Sequence, residues 1–339
     1  PTIRQLAQRV GDRRVEPVAA IPVAPSADQY VLSRAQRRMW ILSHLGEGTA
    51  TYNMYKTCRV RGPVDRQRLE EAFRALIRRQ ESLRTAIVVV DGEAFSRIRP
   101  AAELPFKLRY RDYTDAEIPL EKAKAEAQRM AVRPFQLDQL PLFRVKLMRV
   151  AAEDYVFVLV IHHIIADGWS VDILVNELFV LYGSALGAQV APLPELAIQY
   201  KDYATWEHGQ LARSAFARQA QFWKKEMASP LPVLELPTDF SRPEVQTNRG
   251  SSTSFFLGTE LSDALATLAN RLQATPFMGM MAGLLALFHR YSGQTDIILG
   301  TPVSGREHPD LEHQIGLFVN TIPLRQHVQG HWNFGQLLR

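Results

Sequence analysis

Tyr155-Val-Phe-Val-Leu-Val-Ile-His-His-Ile-Ile-Ala-Asp-Gly-Trp-Ser-Val-Asp-Ile-Leu174 divides into a strand, a turn and a helix on its chemistry alone. Tyr155 to Ile161 is apolar, β-branched and aromatic, the composition of a strand covered on both faces. His162 and His163 end it, and Asp167-Gly168 supplies turn chemistry. From Trp169 the apolar positions change to helical spacing (Val171, Leu174, Val175, Leu178), with Asp172 and Glu177 expected on the wet side. The histidines therefore stand where a buried strand ends and a helix begins, a frequent seat of reactive groups in α/β folds.

The two histidines cannot do the same work. Side chains alternate along a strand, so His162 and His163 point to opposite sides. One is expected to face a cavity and the other to be tied into the protein. Asp167, at the turn, is placed to pair with a nearby arginine and hold the loop's shape. The plain alternative is a core histidine followed by an Asx-type turn. Average composition yields His-His-x-x-x-Asp-Gly after such a strand on the order of once in a thousand chains, which favours a functional reading.

Working outward, 339 residues suffice for one large domain or two lobes. The single cysteine, Cys58, rules out an internal disulfide framework and a cysteine-based metal site. It falls in the strand-like run Tyr52 to Val60, where a buried structural thiol is expected. No stretch approaches eighteen consecutive apolar residues, and no signal-peptide core is present, so a soluble cytoplasmic protein without membrane association is expected. The net charge of +5 is mild and the arginines are dispersed, which argues against nucleic acid and allows acidic partners.

Pro1 to Val10 is a short amphipathic helix with an apolar stripe of Ile3, Leu6, Ala7 and Val10. Ten residues cannot bury such a stripe alone. Residues 11–28, with Pro17, Pro22 and Pro25, read as a linker. A first lobe is expected over 29–187, with a helix over Leu32 to Leu45 capped by Ser33 and a strongly periodic helix after Asp65. Ala86 to Val90, Asp91-Gly92 and Ala94 to Ile98 together carry a hairpin signal, and Pro119 suits the first position of a helix ending at Arg133. A strand over Phe106 to Tyr110 is expected between them, and Leu142 to Val150 should pair with Tyr155 to Ile161. Pro192 and Pro194 mark the crossing into a second lobe over 188–339. That lobe should hold strands at Ser252 to Leu257, Asp296 to Pro302 and Ile315 to Leu324, with an almost wholly apolar, buried helix from Pro276 to Tyr291.

Five stretches, in order, resemble the motifs of the condensation domains of nonribosomal peptide synthetases. They are Ser33-Arg-Ala-Gln-Arg-Arg-Met-Trp40, Arg79-Gln-Glu-Ser-Leu-Arg-Thr85, His162 to Gly168, Tyr200-Lys-Asp-Tyr-Ala-Thr-Trp206 and Ile315-Gly-Leu-Phe-Val-Asn-Thr-Ile-Pro-Leu-Arg325. One departure is Gln80, where that family usually has histidine. The resemblance implies an α/β fold of two lobes similar to chloramphenicol acetyltransferase, arranged as a V with a tunnel between them. It implies that His163 is the catalytic histidine inside the tunnel, with His162, Asp167 and Gly168 as motif residues and Asp167 paired to an arginine. Arg84 is the arginine expected in that pair.

The implied reaction is peptide-bond formation between a donor thioester and the amine of an acceptor aminoacyl thioester. The domain would bind no cofactor or metal of its own. Its substrates would ride on the 4'-phosphopantetheine arms of an upstream donor and a downstream acceptor peptidyl carrier domain, with an adenylation domain adjacent, in a monomeric multidomain synthetase. Pro1 to Val10 resembles the last helix of a carrier domain, and direct carrier-to-condensation order implies an L-configured donor or a dual epimerising type. Members of the family run well past Arg339, so the second lobe is expected to be truncated. Heterocyclising relatives carry aspartates in place of the histidines, and epimerising ones break Gly-Trp-Ser; here Gly168-Trp169-Ser170 is intact. The other readings are a coenzyme-A-dependent acyltransferase and a non-catalytic module that docks on carriers. Trp169 and Trp206 are expected to be packing anchors; His327 and His331 have four-residue spacing, but Gly330 between them argues against a metal pair, and His208, His308 and His313 show no ligand pattern.

Overall fold

The computed structural model describes residues 19–45, 50–104, 106–210, 215–244 and 250–338. The carrier-like helix expected over Pro1 to Val10 lies outside them. By contacts the chain forms two compact units, one of residues 1–212 with Ser304–Val319, the other of Arg213–Val303 with Asn320–Arg339. The boundary thus differs from that expected near residue 187. The stretch 198–210 and the segment Ser304–Val319 belong with the first unit because their polar groups are bonded into it, as described below.

In the first unit β1 (Tyr30–Val31) precedes α1 (Arg34–Leu45), β2 (Asn53–Arg61) and α2 (Arg66–Arg79). Then come β3 (Thr85–Val90), β4 (Glu93–Ile98), β5 (Arg109–Asp112), α3 (Pro119–Ala131), β6 (Phe143–Ala151), β7 (Asp154–His162), α4 (Gly168–Ala185) and α5 (Tyr200–Gln210). The main sheet runs β2-β7-β6-β5, antiparallel except for the parallel β5–β6 pair. β7 lies between partners and is covered on both faces, as its composition requires. Phe157, Leu159 and Ile161 meet Phe73, Leu76 and Leu174 from α2 and α4 in one cluster. Val156, Val158 and Val160 meet Ala123 and Ala127 of α3 in another.

Local signals hold where they were strongest. Asp65 caps α2 by accepting from the Gln67 and Arg68 amides. The β3–β4 hairpin turns on Asp91 and Gly92, at φ 52° and 82°. β1 adds to its far side, completing a small sheet. The second half of the expected linker is pinned: the Ile21 amide donates to Asp310 and the Ala24 amide to Asp202.

The second unit holds α6 (Ala215–Glu226), α7 (Thr259–Arg271), α8 (Pro276–Ser292), β8 (Asp296–Val303), β9 (Asn320–His327) and α9 (Phe334–Leu338). β8 and β9 form an antiparallel pair. No single helix among the described residues is long and apolar enough to cross a membrane.

Several expectations need correction. Residues 252–257 form no strand, and the strand expected at Ile315 begins at Asn320 instead, because residues 315–319 are drawn into the first unit. The strand expected at Phe106 begins at Arg109; Phe106 instead packs its ring against Phe73 and Phe143. Cys58 is exposed, since β2 is the sheet's edge and its residues 55–59 are all left uncovered. Of α8, Gly279, Ala282 and Leu285 are buried, while Phe277, Met280, Leu284 and Leu287 are exposed. Uniform apolarity gives a helix no directional instruction, so burial on every side does not follow from it.

Candidate active site

The site grows from the end of β7. His162 is buried (3% exposed), with its ring edge-on to Phe135 and Tyr52 at 6.0 and 6.5 Å. Its Nδ1 accepts the Ile164 amide at 3.1 Å and so starts a tight turn over His163–Ile165. Burial first, then the neighbouring His163 and Arg144, push the His162 imidazole down to about 4. His162 is therefore the histidine tied into the protein.

That shift has a pH signature. Between pH 6.5 and about 4 an unfolded chain protonates His162 while the folded one does not. Stability is expected to be full above pH 6.5 and to fall as the pH drops through that window, by about 3 kcal/mol. Urea midpoints measured from pH 7 to pH 4 should fall more steeply for the wild type than for His162→Gln; equal slopes would remove His162 as the cause.

His163 takes the other side and is partly exposed. Its Nδ1 is buried and has no hydrogen-bond partner among the described residues. What exposure the residue has therefore lies away from Nδ1.

The turn carrying His163 is held by residues distant in sequence. Ser33 and Gln36 cap α1 reciprocally, each side chain accepting the other's amide at 3.1 and 3.2 Å. Gln36 then donates its Nε2 to the Ile164 carbonyl at 3.1 Å. Tyr200, whose phenol is buried and pushed well above its ordinary range by that burial, donates to the Leu317 carbonyl at 2.6 Å. Its oxygen lies 2.7 Å from Ser33 Oγ. With Tyr200 donating to Leu317, Ser33 is left to donate to Tyr200.

Asp167 is the hub. It is 2% exposed and caps α4 through Oδ1, which accepts the Ser170 amide at 2.8 Å and the Ser170 hydroxyl at 2.7 Å. Its Oδ2 accepts the Phe318 and Val319 amides at 3.0 and 3.2 Å. Its arginine is Arg306, at 3.4 Å, and not Arg84. Arg84 sits at the other end of its own turn, donating to the Arg99 carbonyl at 2.9 Å and to Glu81 at 3.3 Å. Arg306 lies 139 residues beyond Asp167, beyond the reach of any local signal. It also donates to Ser170 Oγ at 2.9 Å and to the carbonyls of Leu311 and Gln314, and its guanidinium lies 4.1 Å over the Phe318 ring. The preceding Gly305 has φ +65°, and a Cβ there would meet the Phe318 carbonyl oxygen at 2.2 Å, so glycine is required.

The departure at Gln80 is absorbed here. Gln80 donates to Glu177 at 3.0 Å and to the His313 carbonyl at 3.1 Å, and accepts the Ile315 amide at 3.3 Å. Glu177, expected in water, is instead buried and paired with Arg79 at 2.9 Å. A lone glutamate on an apolar helix reads as solvent-facing until its partners are known. Gly168 is exposed at the head of α4, and Trp169 is 57% exposed, so Trp169 is no packing anchor. Trp206 does pack, against Tyr203 and His308.

Gly316 gives a direct test of this packing. A Cβ there would lie 1.8 Å from the Tyr200 ring. Gly316→Ala is expected to cost about 3 kcal/mol by overpacking. Thermal melts check it, and an unchanged melting temperature would show that the 315–319 segment does not lie against Tyr200.

Among the described residues no three His, Cys, Asp or Glu side chains converge as metal ligands do. A family model described as Condensation domain matches residues 26–339. Bacitracin synthase 3 of Bacillus licheniformis is 37% identical over the whole chain, which spans 5% of that synthase. Gramicidin S synthase 2 of Brevibacillus brevis is also 37% identical, over 98% of this chain and 7% of the synthase. The chain thus spans a small fraction of the curated relatives it matches. Among solved structures, the X-domain from teicoplanin biosynthesis superposes with a TM-score of 0.82 at 26% identity, over 94% of this chain and 70% of that one. The first condensation domain of the calcium-dependent antibiotic synthetase gives 0.77 at 23% identity, over 92% and 72%. The fold is the chloramphenicol-acetyltransferase-like one expected from the motifs.

Proposed function

The chain belongs to the condensation-domain family of nonribosomal peptide synthetases, and on that premise we propose that it forms a peptide bond between two carrier-bound thioesters, with His163 as its catalytic residue. The donor would be an aminoacyl or peptidyl thioester of L configuration and the acceptor an aminoacyl thioester with a free α-amine. Both would be delivered on 4'-phosphopantetheine arms by carrier domains of the parent synthetase. One observation supports this reading above the others: His163 stands on a turn tied by hydrogen bonds from two separate segments, through Gln36 and Phe318, and by the local bond to His162.

A thioester is already activated, so no covalent enzyme intermediate is required and no Ser or Cys nucleophile is called for. Two tasks remain. The amine, an ammonium with a pKa of about 8, must lose a proton, and amine and carbonyl must be held in register. Juxtaposition is worth roughly 7–11 kcal/mol when the geometry is good. A general base adds about 10²–10⁴-fold, roughly 3–5 kcal/mol. In this reading the Nε2 edge of His163 meets the attacking amine, positions it and takes its proton. Asp167 works at one remove, fixing the turn and the start of α4 without touching substrate.

Incubating the protein with a loaded donor carrier and a loaded acceptor carrier should yield a dipeptidyl acceptor carrier. A second reading follows from the superposition on the X-domain, known in a complex with OxyB, at a TM-score of 0.82: a non-catalytic module that recruits a partner to a carrier. Carrier binding without any dipeptidyl product would favour that reading and end the first.

A further inference from the structure

Away from the histidine turn, the first unit contains a basic concavity. It measures about 1060 Å³ and lies beside edge strand β5 and the start of α2, with Arg66, Lys107, Arg109, Arg144 and Lys146 on its walls. Two carboxylates also line it, and both are engaged. Asp65 accepts the Gln67 and Arg68 amides at 2.9 and 3.0 Å, and Glu70 accepts the Leu108 amide at 2.9 Å while pairing with Arg74.

The cations divide into two groups. Lys146 is held by Glu126. Arg144 donates to the Arg133 and Pro134 carbonyls at 2.7 and 2.6 Å and lies 3.6 Å over the Phe135 ring. No carboxylate among the described residues pairs with it; burial, then the like charges of Arg133 and Arg109, push it down to about 10. Arg66, Lys107 and Arg109 have no ion pair among the described residues. Arg66 is held in place from one side only, over the face of Tyr110 at 4.1 Å.

Three cations without an ion pair, from α2 and the β5 stretch, outnumber the one unpaired carboxylate, Asp65, and leave the concavity with a net positive potential. Guanidinium groups offer paired N–H donors that match a phosphate or carboxylate edge. A singly charged carboxylate leaves most of this charge unanswered, and the volume is that of a site for a whole small molecule rather than a bare ion.

We propose that this cavity binds a phosphate-bearing organic anion, with the Arg66 and Arg109 guanidinium groups and the Lys107 ammonium supplying its counter-charge. The site requires nothing of His163 and stands whether or not the chain condenses thioesters. The anion has two possible sources, a free phosphorylated metabolite or the phosphate at the root of a pantetheine arm.

Calorimetric titration of the full chain with inorganic pyrophosphate, at constant ionic strength, tests it. One saturable site is expected. Its affinity should fall at least tenfold in the double variant Arg66→Ala/Arg109→Ala and stay unchanged in Lys225→Ala, an exposed lysine of the second unit. Arg66, Lys107 and Arg109 are exposed, so loss of fold is not the expected outcome; Lys107→Ala alone should reproduce a smaller weakening with the melting temperature intact. No saturable binding, or equal weakening by Lys225→Ala, would overturn the proposal. Titration with 4'-phosphopantetheine then separates the sources. Tighter binding than pyrophosphate, lost in the same double variant, assigns a carrier's arm; weaker binding with the same dependence assigns a free metabolite.

Discussion

His163→Ala is expected to cut dipeptidyl-carrier formation by about 10²–10⁴-fold while both carriers stay loaded and the protein melts normally. His163 is partly exposed and its Nδ1 makes no hydrogen bond among the described residues, so removing the ring breaks no side-chain bond of that polar network. Activity and stability should therefore separate cleanly. The comparison that matters is single-turnover product formation with saturating carriers, since that removes carrier binding from the rate. Residual condensation well above the buffer rate would be the share owed to juxtaposition. Undiminished product would strip His163 of its catalytic role.

Asp167→Ala is expected to fail for the opposite reason. The carboxylate neutralises a guanidinium that is 4% exposed, caps α4, and takes the Phe318 and Val319 amides. Removing it leaves a buried cation and several buried donors unanswered, at a cost of about 3–5 kcal/mol. For a unit of roughly this size that corresponds to a drop of roughly 10 °C in melting temperature, with lower soluble yield. Arg306→Ala should destabilise as well, and the double variant should lose less than the sum of the two singles. An Asp167→Ala protein that melts normally yet makes no product would point to Asp167 taking part in the chemistry itself.

These two results would assign different work to neighbours in one motif. His163 is partly exposed and has no hydrogen bond at Nδ1 among the described residues; Asp167 has both carboxylate oxygens in use and is 2% exposed. The ordinary signs of a reagent and of a scaffold are thus separated by four positions. His162 completes the division as a neutral, buried acceptor whose task is to start the turn.

What the amino-acid order determines by itself is whatever depends on near neighbours. The two-face burial of β7, the Asp91-Gly92 hairpin, the Asp65 and Ser33 caps and the placing of two histidines at a strand end all follow from short-range steric and hydrogen-bonding preferences. Motif order carries the family resemblance on the same footing. What only the folded chain decides is which distant group answers which. Arg84 and Arg306 are chemically alike, and nothing along the chain marks the second as Asp167's partner. Glu177 and Cys58 fall to the opposite burial from the one their local patterns suggest. The first is buried because Arg79 and Gln80 are there to meet it, and the second is exposed because β2 became an edge strand. A buried charge survives only opposite its counter-charge, and a strand is covered only if something packs on it. Both conditions are set by contacts between residues that sequence separation keeps apart.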